Sequence, residues 1–190
     1  IPEQNILLEP VGRNTAPCIG LGAEHIAKKY DDAIMMVLPS DHLIKMPAVF
    51  AGVLEHAAKV AEEGENLVTI GITPAYPETG YGYIKFDAAA KNGEAYAVER
   101  FVEKPERPTA GEYLASGDYL WKSGMFLWKV SSILANIARY MPDLADSLAK
   151  IAASIGTSEY EKTLETEFTA IKGESIDYGI MEKAKNIYIL

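Results

Sequence analysis

Cysteine is nearly absent: Cys18 stands alone in 190 residues, so no intramolecular disulfide can form and a disulfide-stapled secreted scaffold is excluded. No secretory h-region and no run of about 18 apolar residues occurs, so the chain is expected in the cytoplasm, without a membrane partner. Basic charge is scarce as well. Eighteen Lys and Arg face 27 Asp and Glu, a net charge of −9, and no Lys/Arg cluster supplies the footprint that nucleic acid or an anionic membrane requires. An anionic ligand must then be held by a few local bases or by a metal. The familiar nucleotide loops are missing: Gly20-Leu21-Gly22-Ala23-Glu24-His25 lacks the third glycine and lies inside a helical pattern, and no G-x-x-x-x-G-K-[ST] exists. His25 and His56 have no partner at metal-ligand spacing and His42 reads as structural, so no zinc site is expected. Cys18, among helical glycines, reads as a small core residue rather than a nucleophile.

What is present is ordinary for a globule: 48% hydrophobic and 24% charged residues, enough for one domain at roughly 150 residues per domain. Ile6-Leu7-Leu8, residues 34–38 and residues 67–72 are short apolar runs that read as buried strands. Between them, residues 15–30 follow Asn14 as N-cap with Pro17 in the first turn, and residues 48–63 stop at Gly64. This alternation predicts βαβ units and a mostly parallel sheet. Residues 83–86 and 94–102, joined across Asn92-Gly93, predict an antiparallel hairpin. Helices are expected at 108–116, 131–140, 142–154, 158–166 and 176–184, with a strand at 125–129. The aromatic and Met residues of 121–128 read as core. No linker or repeat interrupts the chain, so residues 1–190 read as one α/β unit. The chain opens at Ile1 rather than Met and ends within the apolar run 186–190, from which an internal fragment is expected.

Ligands of parallel α/β sheets bind beyond the carboxyl ends of the strands, and the residues following each apolar run are polar and specific. The first turn holds Glu9, Arg13, Asn14 and Thr15. A carboxylate at Glu9 can accept two adjacent donors, such as guanine N1–H and N2–H2, and a helix N-terminus favours an anion. The same residues also suit a simple N-cap with Arg13 paired to an acid. Asp41, in Pro39-Ser40-Asp41-His42, suits a hard cation or the cap of the next helix. Gly80 and Gly82 admit either a close ligand or a plain turn. Glu103 and Lys104 offer an acceptor for sugar hydroxyls and a cation for phosphate, although neighbours on a strand point to opposite faces.

The wording and order of these segments resemble the bacterial mannose-1-phosphate guanylyltransferases, within the sugar-nucleotide pyrophosphorylases. Six segments carry the likeness: Glu9-Pro10 through Pro17, Leu38 to His42, Pro77 to Ile84, Val102 to Pro105, Trp121 to Phe126, and Ser175-Ile176-Asp177-Tyr178 through Lys183. The resemblance implies a Rossmann-like nucleotidyltransferase fold, with a mixed, mostly parallel sheet flanked by helices and an antiparallel excursion. It implies transfer of GMP from GTP to mannose 1-phosphate with Mg²⁺, giving GDP-mannose and pyrophosphate. By the same likeness Glu9, Arg13, Asn14 and Thr15 would hold the guanine, Asp41 the metal, Gly82 and Glu103 the mannose hydroxyls, and Lys104 the sugar phosphate. Lys122 stands where the family usually has Asn, and Lys only donates where Asn also accepts. The family's glycine-rich signature and its downstream metal-ligand segment have no counterpart in the sequence. On this reading the 190-residue chain is a partial nucleotidyltransferase domain, expected to have little or no activity by itself and either to self-associate through an exposed sheet edge or to be only marginally folded. A sugar-nucleotide-binding module without turnover, or a pyrophosphorylase for another base or sugar, are the alternatives.

Overall fold

The computed structural model describes residues 1–190, the side chain of Gln4 excepted. In chain order its main elements are α1 (Thr15–Ala27), β1 (Ile34–Val37), α2 (Pro47–Glu62), β2 (Leu67–Ile72), β3 (Tyr83–Asn92) and β4 (Ala95–Val102). There follow α3 (Arg107–Ser116), β5 (Tyr119–Lys129), α4 (Val130–Tyr140), α5 (Pro142–Ser154), α6 (Tyr160–Ala170) and β6 (Ile187–Ile189). The chain divides into two compact units, residues 1–33 with 130–184 and residues 34–129 with 185–190.

In the first unit, Asn14 caps α1 by accepting from Thr15 N at 2.8 Å, as its side chain predicts. Helices α1, α4, α5 and α6 bury Ile19, Leu21, Ile133, Ile137, Leu148, Ile151 and Phe168. At Gly20 α1 lies close against α5: a Cβ there would overlap Leu148 Cδ1 and lie 3.4 Å from both Leu148 Cδ2 and Ile137 Cδ1. Packing explains this glycine. Residues 176–184, expected as a helix, form only a π turn at Asp177–Met181. The run Ile6-Leu7-Leu8 is no buried strand: its side chains are 51%, 41% and 76% exposed, and only a short 3₁₀ turn precedes them at Glu3–Asn5. Among the described residues its own unit contains no sheet strand with which it could pair.

The second unit is a six-stranded mixed sheet in the order β1-β5-β2-β6-β4-β3, with α2 packed on it through Ala57, Val60 and Ala61 against Val68, Ile70 and Leu127. The mixed α/β architecture is as expected, but its polarity is not. Among the described residues β2–β6 is the only parallel pairing, and the others are antiparallel. The cause is β5, a long strand that returns between β1 and β2 and bonds antiparallel to both. Its first residues also pair with β3, Trp121 lying opposite both Ile72 and Tyr83. Its side chains from Met125 to Trp128 are buried, as the core reading of 121–128 requires. The hairpin β3–β4 turns at Gly93, whose φ of +59° suits glycine. β1 departs from expectation. It pairs on one side only and buries no side chain fully, with Met36 44% exposed and Leu38 beyond it 45%. An edge position, rather than a sheet centre, accounts for both.

Candidate active site

In the second unit, a cavity of about 480 Å³ opens at the ends of β2 and β5, and Asp41, His42, Tyr76, Tyr81, Trp121 and Lys122 line it. This volume is in the range of small-ligand sites. Asp41 lies in the loop between β1 and α2, and it does not cap α2, whose N-cap is Met46. The carboxylate is therefore not spent on the helix. Among the described residues no group of three or more His, Cys, Asp or Glu could hold a metal. Asp41 supplies one carboxylate, the donor set that suits Mg²⁺ where phosphate and water complete the shell.

Beside this cavity, three residues far apart in sequence meet. Lys122 of β5 donates its backbone N–H to Gly82 O at 2.9 Å, and its ammonium forms a hydrogen-bonded ion pair with Glu103 Oε1 just beyond β4. Both side chains are largely withdrawn from solvent, 18% and 26% exposed. The pair lies against Gly82: a Cβ there would stand 2.9 Å from Glu103 Oε1 and 3.2 Å from Lys122 Cε. Gly82 makes room for the Glu103–Lys122 pair, whereas Gly80 serves a turn in which Glu78 Oε1 accepts from Thr79 N and Gly80 N at 2.8 and 2.7 Å. Lys104 follows Glu103 as an exposed residue with φ +40°, a left-handed conformation uncommon for a residue with a Cβ. That turn breaks the strand alternation which would otherwise send Glu103 and Lys104 to opposite faces.

Two aromatic residues were not singled out in the sequence, although Tyr81 lies within the segment Pro77 to Ile84. Tyr76 and Tyr81 pack edge-on against Trp121, with ring centroids 5.0 and 5.3 Å away. Both are about half exposed, and both line the cavity. Their spacing around the Pro77 to Gly80 turn was the available signal, since a tight turn brings its flanking residues together.

In the first unit, Glu9 is half-buried, and its Oε1 has no hydrogen-bond partner. Arg13 reaches the backbone rather than an acid: one terminal nitrogen donates to Thr169 O, while its buried Nε has no partner. Asn14 and Thr15 hold the loop in place. Asn14 caps Thr15 N, and Thr15 Oγ1 accepts from Ile176 N at 2.9 Å. The adjoining Ala16 N donates to Glu174 O at 3.1 Å, so the leading donors of α1 are already engaged. Cys18 is exposed on α1 rather than in the core. Crowding by the surrounding chain, then the neighbouring Glu9 carboxylate, raise its thiol pKa, which removes it as a nucleophile near neutral pH.

Comparison with known proteins gives the family of the chain. The family model of nucleotidyl transferases matches residues 2–165, and the chain belongs to that family. It is 43% identical over 189 residues to a mannose-1-phosphate guanylyltransferase of Escherichia coli, covering 98% of this chain and 40% of that protein. It is 45% identical over 186 residues to the xanthan biosynthesis protein XanB of Xanthomonas campestris pv. campestris strain B100, covering 97% and 39%. The chain thus spans about two fifths of the length of these curated relatives. Its fold matches a crystal structure from Thermus thermophilus, described as a mannose-1-phosphate geranyltransferase, with a TM-score of 0.86 and 35% identity over 97% of this chain and 51% of that one. No helix among the described residues is long and apolar enough to cross a membrane.

Proposed function

We propose that this chain supplies base and sugar-phosphate recognition to an enzyme that transfers GMP from GTP to mannose 1-phosphate, releasing pyrophosphate and forming GDP-mannose in the cytoplasm. The observation that carries the reading is the convergence of Gly82, Glu103 and Lys122 beside a cavity whose wall also holds Asp41. Pairing of β3 with β4 and β5 brings Gly82, Glu103 and Lys122 together, and the sugar reading draws on what they present there: a glycine and two paired charges beside a cavity with a second carboxylate. The Oε1 of Glu9, buried and without a hydrogen-bond partner in a carboxylate that neighbours the Cys18 thiol, supports the base assignment, because such an acceptor suits a ligand that brings a donor.

In this reading a phosphate oxygen of mannose 1-phosphate attacks the α-phosphorus of GTP in line. One P–O bond forms while the bond to the β-phosphate oxygen breaks, and pyrophosphate leaves with that electron pair. Glu103 accepts from mannose hydroxyls, Lys104 neutralises the sugar phosphate, and Glu9 takes the guanine donors. Asn14 and Thr15 hold the loop that carries Glu9 and Arg13. Positioning and charge neutralisation carry the catalysis, with no covalent intermediate on the protein. Mg²⁺, held by Asp41, would supply charge neutralisation at the phosphates. The exposed edge of β1 favours pairing with a second copy.

The base assignment is tested by measuring GTP and ATP affinities of the wild-type chain and of Glu9→Gln by isothermal titration calorimetry. A preference for GTP that Glu9→Gln relaxes is the expected result, since the amide nitrogen now meets a guanine donor. Equal discrimination in the two proteins moves base reading away from Glu9.

A further inference from the structure

The ion pair between Lys122 and Glu103 goes beyond sugar recognition as such, because Glu103 alone would supply the acceptor. Three observations bear on what Lys122 does. Its main chain is fixed, as residue 122 lies within β5 opposite Gly71 and donates its N–H to Gly82 O at 2.9 Å. Its ammonium ends on Glu103 Oε1, in a place where the two side chains retain only 18% and 26% of their exposure. Finally, Gly82 leaves the space that the pair fills, as its nearest would-be contacts are Glu103 Oε1, Lys122 Cε and Glu103 Cδ. A carboxylate this withdrawn from water is costly to hold without a counter-charge and would otherwise swing towards solvent. With Oε1 engaged by Lys122, the carboxylate is held in one orientation.

We infer that Lys122 is a positioning residue for sugar selection: it fixes the Glu103 carboxylate so that one oxygen accepts from a hydroxyl of the sugar phosphate, and it acts through Glu103. The inference rests on the sugar-phosphate reading given above. It assigns Lys122 a role that its donor-only chemistry permits, in place of the direct accept-and-donate contact that an amide would make.

The test is calorimetric titration of the 190-residue chain with mannose 1-phosphate and, separately, with GTP. The proteins are wild type, Lys122→Met, Lys122→Arg, Glu103→Gln and the double variant Lys122→Met/Glu103→Gln. Lys122→Gln replaces Lys122→Met if the latter fails to melt cooperatively. Lys122→Met should weaken mannose 1-phosphate binding at least about tenfold, on the scale of one charge-assisted hydrogen bond. Lys122→Arg should stay within about threefold of wild type, because it restores the cation. GTP affinity should not change. In the Glu103→Gln background the loss of Lys122 should have less than about a twofold effect, since the group it positions is gone. An unaffected Lys122→Met, or one that costs the same factor with and without Glu103, overturns the inference and leaves the sugar-phosphate reading standing. Failure of the wild-type chain to bind mannose 1-phosphate refutes that reading, and the role of Lys122 with it.

Discussion

Gly82→Ala adds one methyl group where the site is tightest. Its Cβ would lie 2.9 Å from Glu103 Oε1, 3.2 Å from Lys122 Cε and 3.4 Å from Glu103 Cδ, whereas carbon contacts are comfortable near 3.5–4.0 Å. The nearest of these atoms is Glu103 Oε1, so the carboxylate and the Lys122 side chain paired with it must shift by several tenths of an ångström. One charge-assisted hydrogen bond weakens or is lost, worth about 1.5–3 kcal/mol, or roughly one to two decades in affinity for a ligand that depends on Glu103. Folding stability should change much less. Replacing glycine restricts the unfolded chain and recovers about 0.4–1 kcal/mol, which offsets part of the strain. Calorimetric affinity for mannose 1-phosphate and a thermal melt, run on the same samples, separate the two effects. Gly111→Ala is the control, because its Cβ would meet nothing within 4 Å and should stabilise α3 by about 1 kcal/mol without touching affinity. Affinity within about twofold of wild type for Gly82→Ala would refute the reasoning that close packing at Gly82 sets the carboxylate.

Asp41→Asn should abolish the Mg²⁺ enhancement of GTP binding, a loss of about one to two decades, while leaving the melting temperature unchanged because Asp41 caps no helix; titration with and without Mg²⁺ checks it. Burial, then the nearby Lys29, lower the pKa of His25, so the fold favours the neutral ring that bonds Tyr160 Oη at 2.7 Å. Above about pH 6.5 both folded and unfolded states are neutral there, and below it the unfolded chain takes the proton first. Melting temperature should therefore fall as pH drops from about 6.5, and His25→Gln should flatten that slope. Glu24, whose carboxyl pKa burial raises, acts in the opposite sense and nearer the acid range. Finally, the chain should self-associate at tens of micromolar through β1, and Met36→Lys, a charge on the open edge, should shift light scattering towards the monomer.

Apart from residues 176–184, which form only a π turn, the helices were legible because their ends are written locally. Asn14 caps α1, Pro142 opens α5 and Gly117 closes α3 with a φ of +77°, and all three signals lie within a turn of the helix end. Sheet polarity was not legible, because it depends on where β5 runs, and nothing within residues 119–129 says which strands it will separate. An apolar run states that a strand wants cover but not which neighbour provides it. Residues 34–38 and Ile6-Leu7-Leu8 show the consequence. They carry the same apolar wording as residues 67–72, yet Val68 is fully buried while Leu8 is 76% exposed.

The site divides along a similar line, between chemistry and company. That Glu9, Asp41, Glu103 and Lys122 are the residues to inspect followed from their places after apolar runs and within the quoted motifs, since side-chain type is written in the sequence. Which of them act together is a tertiary fact. Glu103 and Lys104 are adjacent, yet the partner of Glu103 is Lys122, 19 positions away, and the space for that pair comes from a glycine two residues past Gly80, which itself serves only a turn. Thr15 makes the converse case. Its hydroxyl looked free for a ligand but accepts from Ile176, 161 residues on, so a polar residue in a binding motif is committed to the fold wherever a distant backbone N–H lacks another acceptor. Glu9 Oε1 and Arg13 Nε, left unpartnered in the same loop, are then the more informative signals, because the fold has engaged Asn14 and Thr15 and passed these two over.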